Sequence, residues 1–236
     1  MSPSHDQGGA GLHGDVLEWL GTLIVTHAFA PGHKLNPDEL GAERQVSRAV
    51  LREVFRVLQA KGLITARPRQ GTLVAPPEYW DYMDPDIIRW RLRSSDREDQ
   101  VEELFALRLA VEPVACRLMA ETTDAAAADR LDALISEMQT AFERRDLHAF
   151  ATADVRFHTH ILESCANHMF RSLVSPVASA VSTRETLQFP LEDVVLRGLD
   201  LHRRLVTEIR ENGPAIEAIS QALILDARQE IETAIR

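Results

Sequence analysis

The chain has 236 residues, 45% of them hydrophobic and 26% charged, with a formal net charge of −10. This is globular composition, enough for one large domain or two modest ones, and no stretch approaches the roughly 20 apolar residues of a membrane span. Two cysteines, Cys116 and Cys165, cannot build a disulfide framework, so the expected class is neither secreted, nor membrane, nor disulfide scaffold, and the expected compartment is the reducing cytoplasm.

Residues 1–13 are rich in Gly, Ser and His without a basic-then-apolar signal and are expected to form a disordered arm. Asp15 to His27 reads as a first helix, with Val16, Leu17, Leu20, Leu23 and Ile24 at helical spacing, ended by Pro31-Gly32. Pro37 to Arg44 is a short polar segment. Ser47 then stands where an N-cap belongs, ahead of the amphipathic run Val50, Leu51, Val54, Phe55, Val57, Leu58, and Gly62 where that helix should stop. Two β-like pieces, residues 63–65 and 72–74, flank Arg67-Pro68-Arg69-Gln70-Gly71. Three helices and a hairpin with a basic tip predict a winged helix-turn-helix over 14–76.

Charge divides along the same line. Residues 14–76 hold eight Lys/Arg against six Asp/Glu, so the rest of the chain carries an excess of twelve acids. A near-neutral head on an acidic body fits nucleic-acid binding by the head alone. Arg48, Arg52 and Arg56 recur at every fourth residue, on one face opposite the apolar stripe. That arrangement suits a helix that presents bidentate arginines to a major groove, and equally a solvated amphipathic face.

Residues 77–96 are an aromatic, turn-rich linker ending in a short helix through Trp90. Beyond it nothing resembles a strand, and helical runs are expected at 99–120, 124–144, 146–164, 168–188, 191–211 and 214–235, an antiparallel bundle over 97–236. Phe150, Asp154, Phe157, His158, Ile161 and Cys165 share one stripe, which places Asp154 and His158 inside an apolar face, whereas His160 points toward solvent. His202 falls inside the stripe Val195, Leu199, Val206, Ile209, and Asp226 follows Ile219 and Leu223. Burying such groups is costly unless they pair or bind metal. Asp154, His158, His202 and Asp226 could form a mixed N/O site for zinc, nickel or manganese, or Asp154 and His158 a plain buried hydrogen bond. Arg108, on the stripe with Leu104, Val111 and Ala115, either pairs with Glu112 or an Asp, or awaits an anionic ligand such as a carboxylate.

The head, through Ser47-Arg48, Val50-Leu51-Arg52-Glu53, Leu58, Gly62-Leu63 and Gly71-Thr72-Leu73-Val74, resembles the winged-helix domain of the GntR family of bacterial transcription regulators. The resemblance implies operator contacts by Arg48 and Arg52 on the recognition helix and by Gln70 and Gly71 on the wing; Ser47 at the helix start is expected beside them, and Arg67, Arg69 and Gln70 at the basic tip are expected to reach a phosphate backbone or minor groove. Leu35-Asn36-Pro37-Asp38 stands where the family has Leu-Pro-Ser-Glu, and Arg44-Gln45 where it has an apolar residue and Gly, which implies a second helix that starts late or packs loosely.

The body pattern Arg108-Leu109-Ala110-Val111-Glu112-Pro113, then Asp154-Val155-Arg156-Phe157-His158, then His202, resembles the all-helical FCD effector domain of the FadR subgroup. There the metal ligands are an Asp and three His, with Asp226 here in the third histidine's place, and the metal and Arg108 hold a carboxylate metabolite. The linker from Trp80 to Trp90 is similar to that of the galactonate-operon and related sugar-acid regulators, which implies an aldonic acid as effector. The resemblance therefore implies a homodimeric, ligand-responsive repressor on a pseudo-palindromic operator. A metal-dependent enzyme acting on a sugar acid, or a sensor of the metal itself, are the alternatives. The enzyme reading lacks an evident general base.

Overall fold

A computed structural model of the chain describes residues 8–122, 125–183 and 192–235. They fall into two compact units, Met1–Glu98 and Asp99–Arg236. The first is built on α1 (Gly8–Val25), α2 (Pro37–Arg44) and α3 (Arg48–Ala60), with β1 (Lys34–Leu35), β2 (Ile64–Arg67) and β3 (Gly71–Val74). The strands form one antiparallel sheet in the order β1-β3-β2.

Local chemistry sets the helix limits. Asn36 Oδ1 accepts from the Asp38 amide at 3.0 Å with Pro37 as first helical residue, and Ser47 Oγ accepts from the Val50 amide at 3.3 Å. Past α3, Gly62 has φ +76°, and a Cβ there would stand 1.9 Å from the Tyr79 carbonyl oxygen, so only glycine fits. Val16, Leu20 and Ile24 of α1 pack with Leu51, Val54 and Leu58 of α3 as the head's core rows. The two departures in α2 find physical answers. The Arg44 guanidinium lies 4.3 Å over the Trp19 ring, a cation–π contact in place of apolar packing. Gln45 takes the left-handed position usually given to glycine, at φ 55°. α2 is thus capped at both ends, and neither starts late nor packs loosely.

Two expectations for this unit are corrected. The expected arm over 1–13 is helical from Gly8, because α1 begins seven residues earlier than its apolar pattern; residues 1–7 lie outside the described ones. The expected linker over 77–96 is part of the head. Trp80, Ile87 and Trp90 enter its core, the last two on α4 (Pro85–Arg91). Trp90 Nε1 donates to Glu18 Oε2 at 2.8 Å, and Lys61 Nζ reaches Asp84 and Asp86, each at 2.7 Å. Gly21 of α1 makes room for this docking, since a Cβ there would meet the Trp90 ring at 2.2 Å.

The second unit is all helical among its described residues: α5 (Arg97–Glu121), α6 (Ala125–Glu143), α7 (Leu147–Ser164), α8 (His168–Arg171), α9 (Val174–Ser182), α10 (Glu192–Glu211) and α11 (Ile216–Ile235). α7 packs against α6 and α9, and α10 against α6 and α11. Their apolar faces, with Leu131, Met138, Phe157, Ile161, Val177, Leu199 and Leu223 among them, make one continuous core. The single helix expected over 168–188 is two: α8 stops at Arg171 and α9 starts at Val174. Pro176 explains the break, because its ring would clash with the Ser172 carbonyl in an unbroken helix, whereas in a first turn its missing N–H costs nothing. Residues 184–188 of that expectation lie outside the described ones.

Candidate functional site

The head presents a basic, concave surface. On α3, Leu51, Val54 and Leu58 are buried while Arg48, Arg52 and Arg56 stand exposed on the opposite side. These arginines, with Pro37, Asp38 and Thr72, line a concavity of ≈720 Å³. Arg48 Nε rests on Asp38 Oδ1 at 2.6 Å and Arg56 Nε on Glu53 at 3.1 Å, whereas Arg52 makes no ion pair among the described residues. Solvent-exposed pairs of this kind hold about 0–1 kcal/mol, little enough for a phosphate or base edge to replace the carboxylate. The Ser47 hydroxyl is engaged in capping α3.

The wing is a tight hairpin in which Arg67 pairs with Gly71 and the Gln70 amide donates to the Arg67 carbonyl at 3.2 Å. Pro68 supplies the first turn position. Arg69 follows at φ 65° and Gly71 at φ 90°, both left-handed. An arginine where glycine is the unstrained choice puts an exposed guanidinium at the tip. The six head residues expected at an operator, Ser47, Arg48, Arg52, Arg69, Gln70 and Gly71, are all exposed, on α3 and its cap and on the wing. Asp38 as the partner of Arg48 was not expected from the sequence, because the two lie on different helices.

In the body, five ionisable side chains meet in the core: Arg108, Glu112, Asp154, His158 and His202, each at most 3% exposed. Arg108 and Glu112 lie one turn apart on α5 and Asp154 and His158 one turn apart on α7, while α10 brings His202. Ligand atoms of Asp154, His158 and His202 lie within 4.8 Å of one another. Glu112 spans two partners, with Oε1 accepting from Arg108 Nε at 2.6 Å and Oε2 against His158 Nδ1 at 2.6 Å.

The tautomers follow from these partners. His202 Nδ1 stands 2.7 Å from the Gly198 carbonyl, which can only accept, so Nδ1 carries the proton and Nε2 a lone pair. Burial holds the His202 ring below its usual pKa, in the neutral form. Its Nε2 faces Asp154 Oδ1 at 3.2 Å yet has no hydrogen-bond partner, two acceptors aimed at one point. His158 repeats the pattern, with Nδ1 on Glu112 and Nε2 3.6 Å from Asp154 Oδ1. The Arg108 Nη2 amino group lies within hydrogen-bond distance of His158, 3.4 Å from Nδ1 and 3.3 Å from Nε2. Burial raises the Glu112 carboxyl and the His158 proton is opposed by burial, but the mutual charges prevail. Glu112, beside Arg108 and His158, is held at about 2, and His158 is raised by Glu112 despite Arg108. The His202 lone pair and the Asp154 carboxylate converge in a dry core beside His158, which can offer its Nε2 on giving up a proton, and each histidine is oriented by a second partner; such a donor set fits a divalent cation.

Asp226, expected as the fourth ligand, is not among the side chains whose ligand atoms lie within 4.8 Å of one another. The buried row of α11 runs Ile219, Leu223, Ile224, Ala227, Ile231; Asp226 lies beside it, its Oδ1 held by Arg197 Nε at 2.6 Å and its Oδ2 buried without a hydrogen-bond partner. His160, expected in solvent, is half-buried with Nε2 3.0 Å from the Ala127 carbonyl. Of the two options for Arg108, the structure shows the Glu112 pair. The bridge from Glu112 to His158 had no signal in spacing, because it joins residues 46 apart.

Comparisons with known proteins agree with this architecture. Residues 12–74 match the bacterial regulatory proteins of the gntR family, and residues 103–233 match the FCD domain. The chain is 32% identical to YieP, an uncharacterized HTH-type transcriptional regulator of Escherichia coli K12, over 88% of this chain and 90% of that protein. It is 30% identical to the galactonate operon transcriptional repressor of the same strain, over 90% and 93%. A solved GntR structure from Streptococcus agalactiae, 23% identical, superposes with a TM-score of 0.53 over 92% of this chain and 99% of that one, and so shares the fold. These relatives are transcription regulators, not enzymes, and no helix among the described residues is long and apolar enough to cross a membrane. The chain belongs to the gntR family of bacterial regulatory proteins, in the branch that joins the winged helix to an FCD domain, and is a DNA-binding transcription regulator.

Proposed function

We propose that the protein is a cytoplasmic, homodimeric repressor of a sugar-acid catabolic operon, released from a pseudo-palindromic operator by an aldonate bound at a metal-containing pocket. The observation that carries this reading is the convergence of Asp154, His158 and His202 beside Arg108 in the core of an FCD domain. The similarity to a galactonate operon repressor supports the ligand class. In the head, Arg48 and Arg52 read base edges in the major groove while Arg69, Gln70 and Gly71 place the wing on the backbone, with Ser47 fixing the start of the reading helix.

In the body, Asp154, His158 and His202 hold a divalent ion, zinc from the donor set with nickel or manganese as alternatives. When bound it supplies positive charge and an open position for a carboxylate oxygen. Glu112 and the Gly198 carbonyl orient the two imidazoles, the apolar core excludes water, and Arg108 donates to the effector. Release requires the effector to favour the non-binding arrangement, by no more than its differential affinity.

The test is fluorescence anisotropy on the upstream intergenic DNA at fixed salt with a panel of aldonates. Nanomolar binding abolished by one aldonate, and weakened in Arg52→Ala by about 1–3 kcal/mol, is the expected result. Binding that ignores every acid but responds to metal alone would assign a metal sensor instead, and absence of specific binding would overturn the operator assignment.

A further inference from the structure

The groove of the head holds acids as well as arginines. Asp38 lines the same concavity as Arg48 and Arg52, where the phosphates of a bound duplex repel a carboxylate. The stability of the head does not call for an acid there. Asp38 Oδ1 meets Arg48 Nε at 2.6 Å with both side chains exposed, and a pair of that kind holds little free energy. The first turn of α2 also carries Glu39, whose Oε1 accepts from Asn36 Nδ2 at 2.6 Å while Asn36 Oδ1 accepts from the Asp38 amide. Cap and helix dipole are thus served without the Asp38 carboxylate.

What that carboxylate can do follows from the chemistry of a major groove. Phosphate oxygens only accept, and the donors on the base edges are the amino groups of cytosine and adenine. Across a G·C pair guanine offers two acceptors, N7 and O6, and the cytosine amino group follows as donor; across A·T the donor lies between two acceptors. A guanidinium with a carboxylate beside it complements the first order and not the second. Arg48 opens α3 and Asp38 lies in the first turn of α2, so the two helix starts hold the couple together. Resting on the reading of Arg48 as a base contact, we propose that Asp38 is a specificity residue of the operator site. The couple reads one G·C base pair, Arg48 donating to the guanine and Asp38 accepting from the cytosine amino group.

Selection from a randomised duplex pool with the full-length protein locates this pair, as the position whose preference disappears in Arg48→Ala. Anisotropy at fixed salt then compares three DNAs: the selected duplex, the same duplex with that cytosine replaced by an analogue lacking the amino group, and a duplex of random sequence. Wild type is expected to lose about tenfold in affinity on the analogue, and Asp38→Ala less than about twofold. Because Asp38→Ala removes a repulsive charge, it is expected to bind the random duplex about twofold more tightly, while its preference for the selected duplex falls about tenfold. Should that variant fail to fold, Asp38→Ser, a residue at home in a first turn and too short to reach the base, serves with the same expectations. A selected pair other than G·C, a wild type indifferent to the analogue, or an Asp38→Ala protein as sensitive to it as wild type overturns the inference and leaves Arg48 a base contact. So does a variant weakened equally on selected and random duplexes, which marks a structural part in α2. If Arg48→Ala relaxes no position, the reading of Arg48 falls, and this inference with it.

Discussion

The head and the body use charge in opposite ways. In the head, Arg48, Arg52, Arg56 and Arg69 stand in solvent, held at most by weak surface pairs, and nothing in the groove is sealed from water. In the body, Arg108, Glu112, Asp154, His158 and His202 lie in the core, each oriented by a fixed partner. The first arrangement suits a long polyanion whose many phosphates act additively and are screened by salt. The second suits one small ion or acid, because a buried site is indifferent to bulk salt and exacting about charge. Fold follows the same division. The head is small and fixed by caps, a glycine and aromatic latches, and the body by one long apolar seam.

The most disruptive way to break the comparison is Glu112→Ala, which strands the buried Arg108 charge. It is expected to lower the body's stability by about 3–5 kcal/mol. The three tryptophans, Trp19, Trp80 and Trp90, all lie in the head, so urea unfolding separates the units. The far-UV circular dichroism transition should move to lower urea while the tryptophan fluorescence midpoint stays. Gly21→Ala does the reverse, forcing a Cβ into the Trp90 ring; overpacking of this kind costs about 1–3 kcal/mol, and the fluorescence midpoint should fall.

Arg69→Gly separates stability from function inside the head. It relieves the left-handed φ of 65°, a gain of about 1 kcal/mol, yet is expected to weaken operator binding in anisotropy. The smallest effect is that of pH on Glu18. Burial raises its carboxyl, but hydrogen bonds from Arg89 and Trp90 and the charges of Arg89 and Arg93 lower it overall. Because its folded value lies below 4.5, its contribution is complete above pH 4.5 and is lost as the pH falls through that lower value. Glu18 is half-exposed, so a loss under about 1 kcal/mol is expected in the fluorescence midpoint between neutral and acid pH.

Much of this was legible before any coordinates. Ser47 and Gly62 bound α3 as their chemistry requires, and the stripes holding Asp154, His158 and His202 lie where helical periodicity puts them. What escaped has identifiable causes. β1, two residues long, carries no period. The residues from Pro77 to Arg91 looked like linker because turn residues dominate them, yet two tryptophans and Ile87 made burial in the head worth more than solvation. Asp226 sits one position from the buried row of α11, a difference of about 100° on a helix that apolar spacing does not resolve. The Glu112 bridge joins two distant helices, and no local pattern announces such a contact.

The division of labour itself is tested most directly with His202→Ala, by measuring operator affinity with and without galactonate in the presence of zinc. The account expects wild-type affinity in the absence of galactonate, since the variant leaves every head residue in place, and loss of galactonate-driven release, since the metal site is broken. Operator affinity that collapses without effector, or release that persists unchanged, would contradict it.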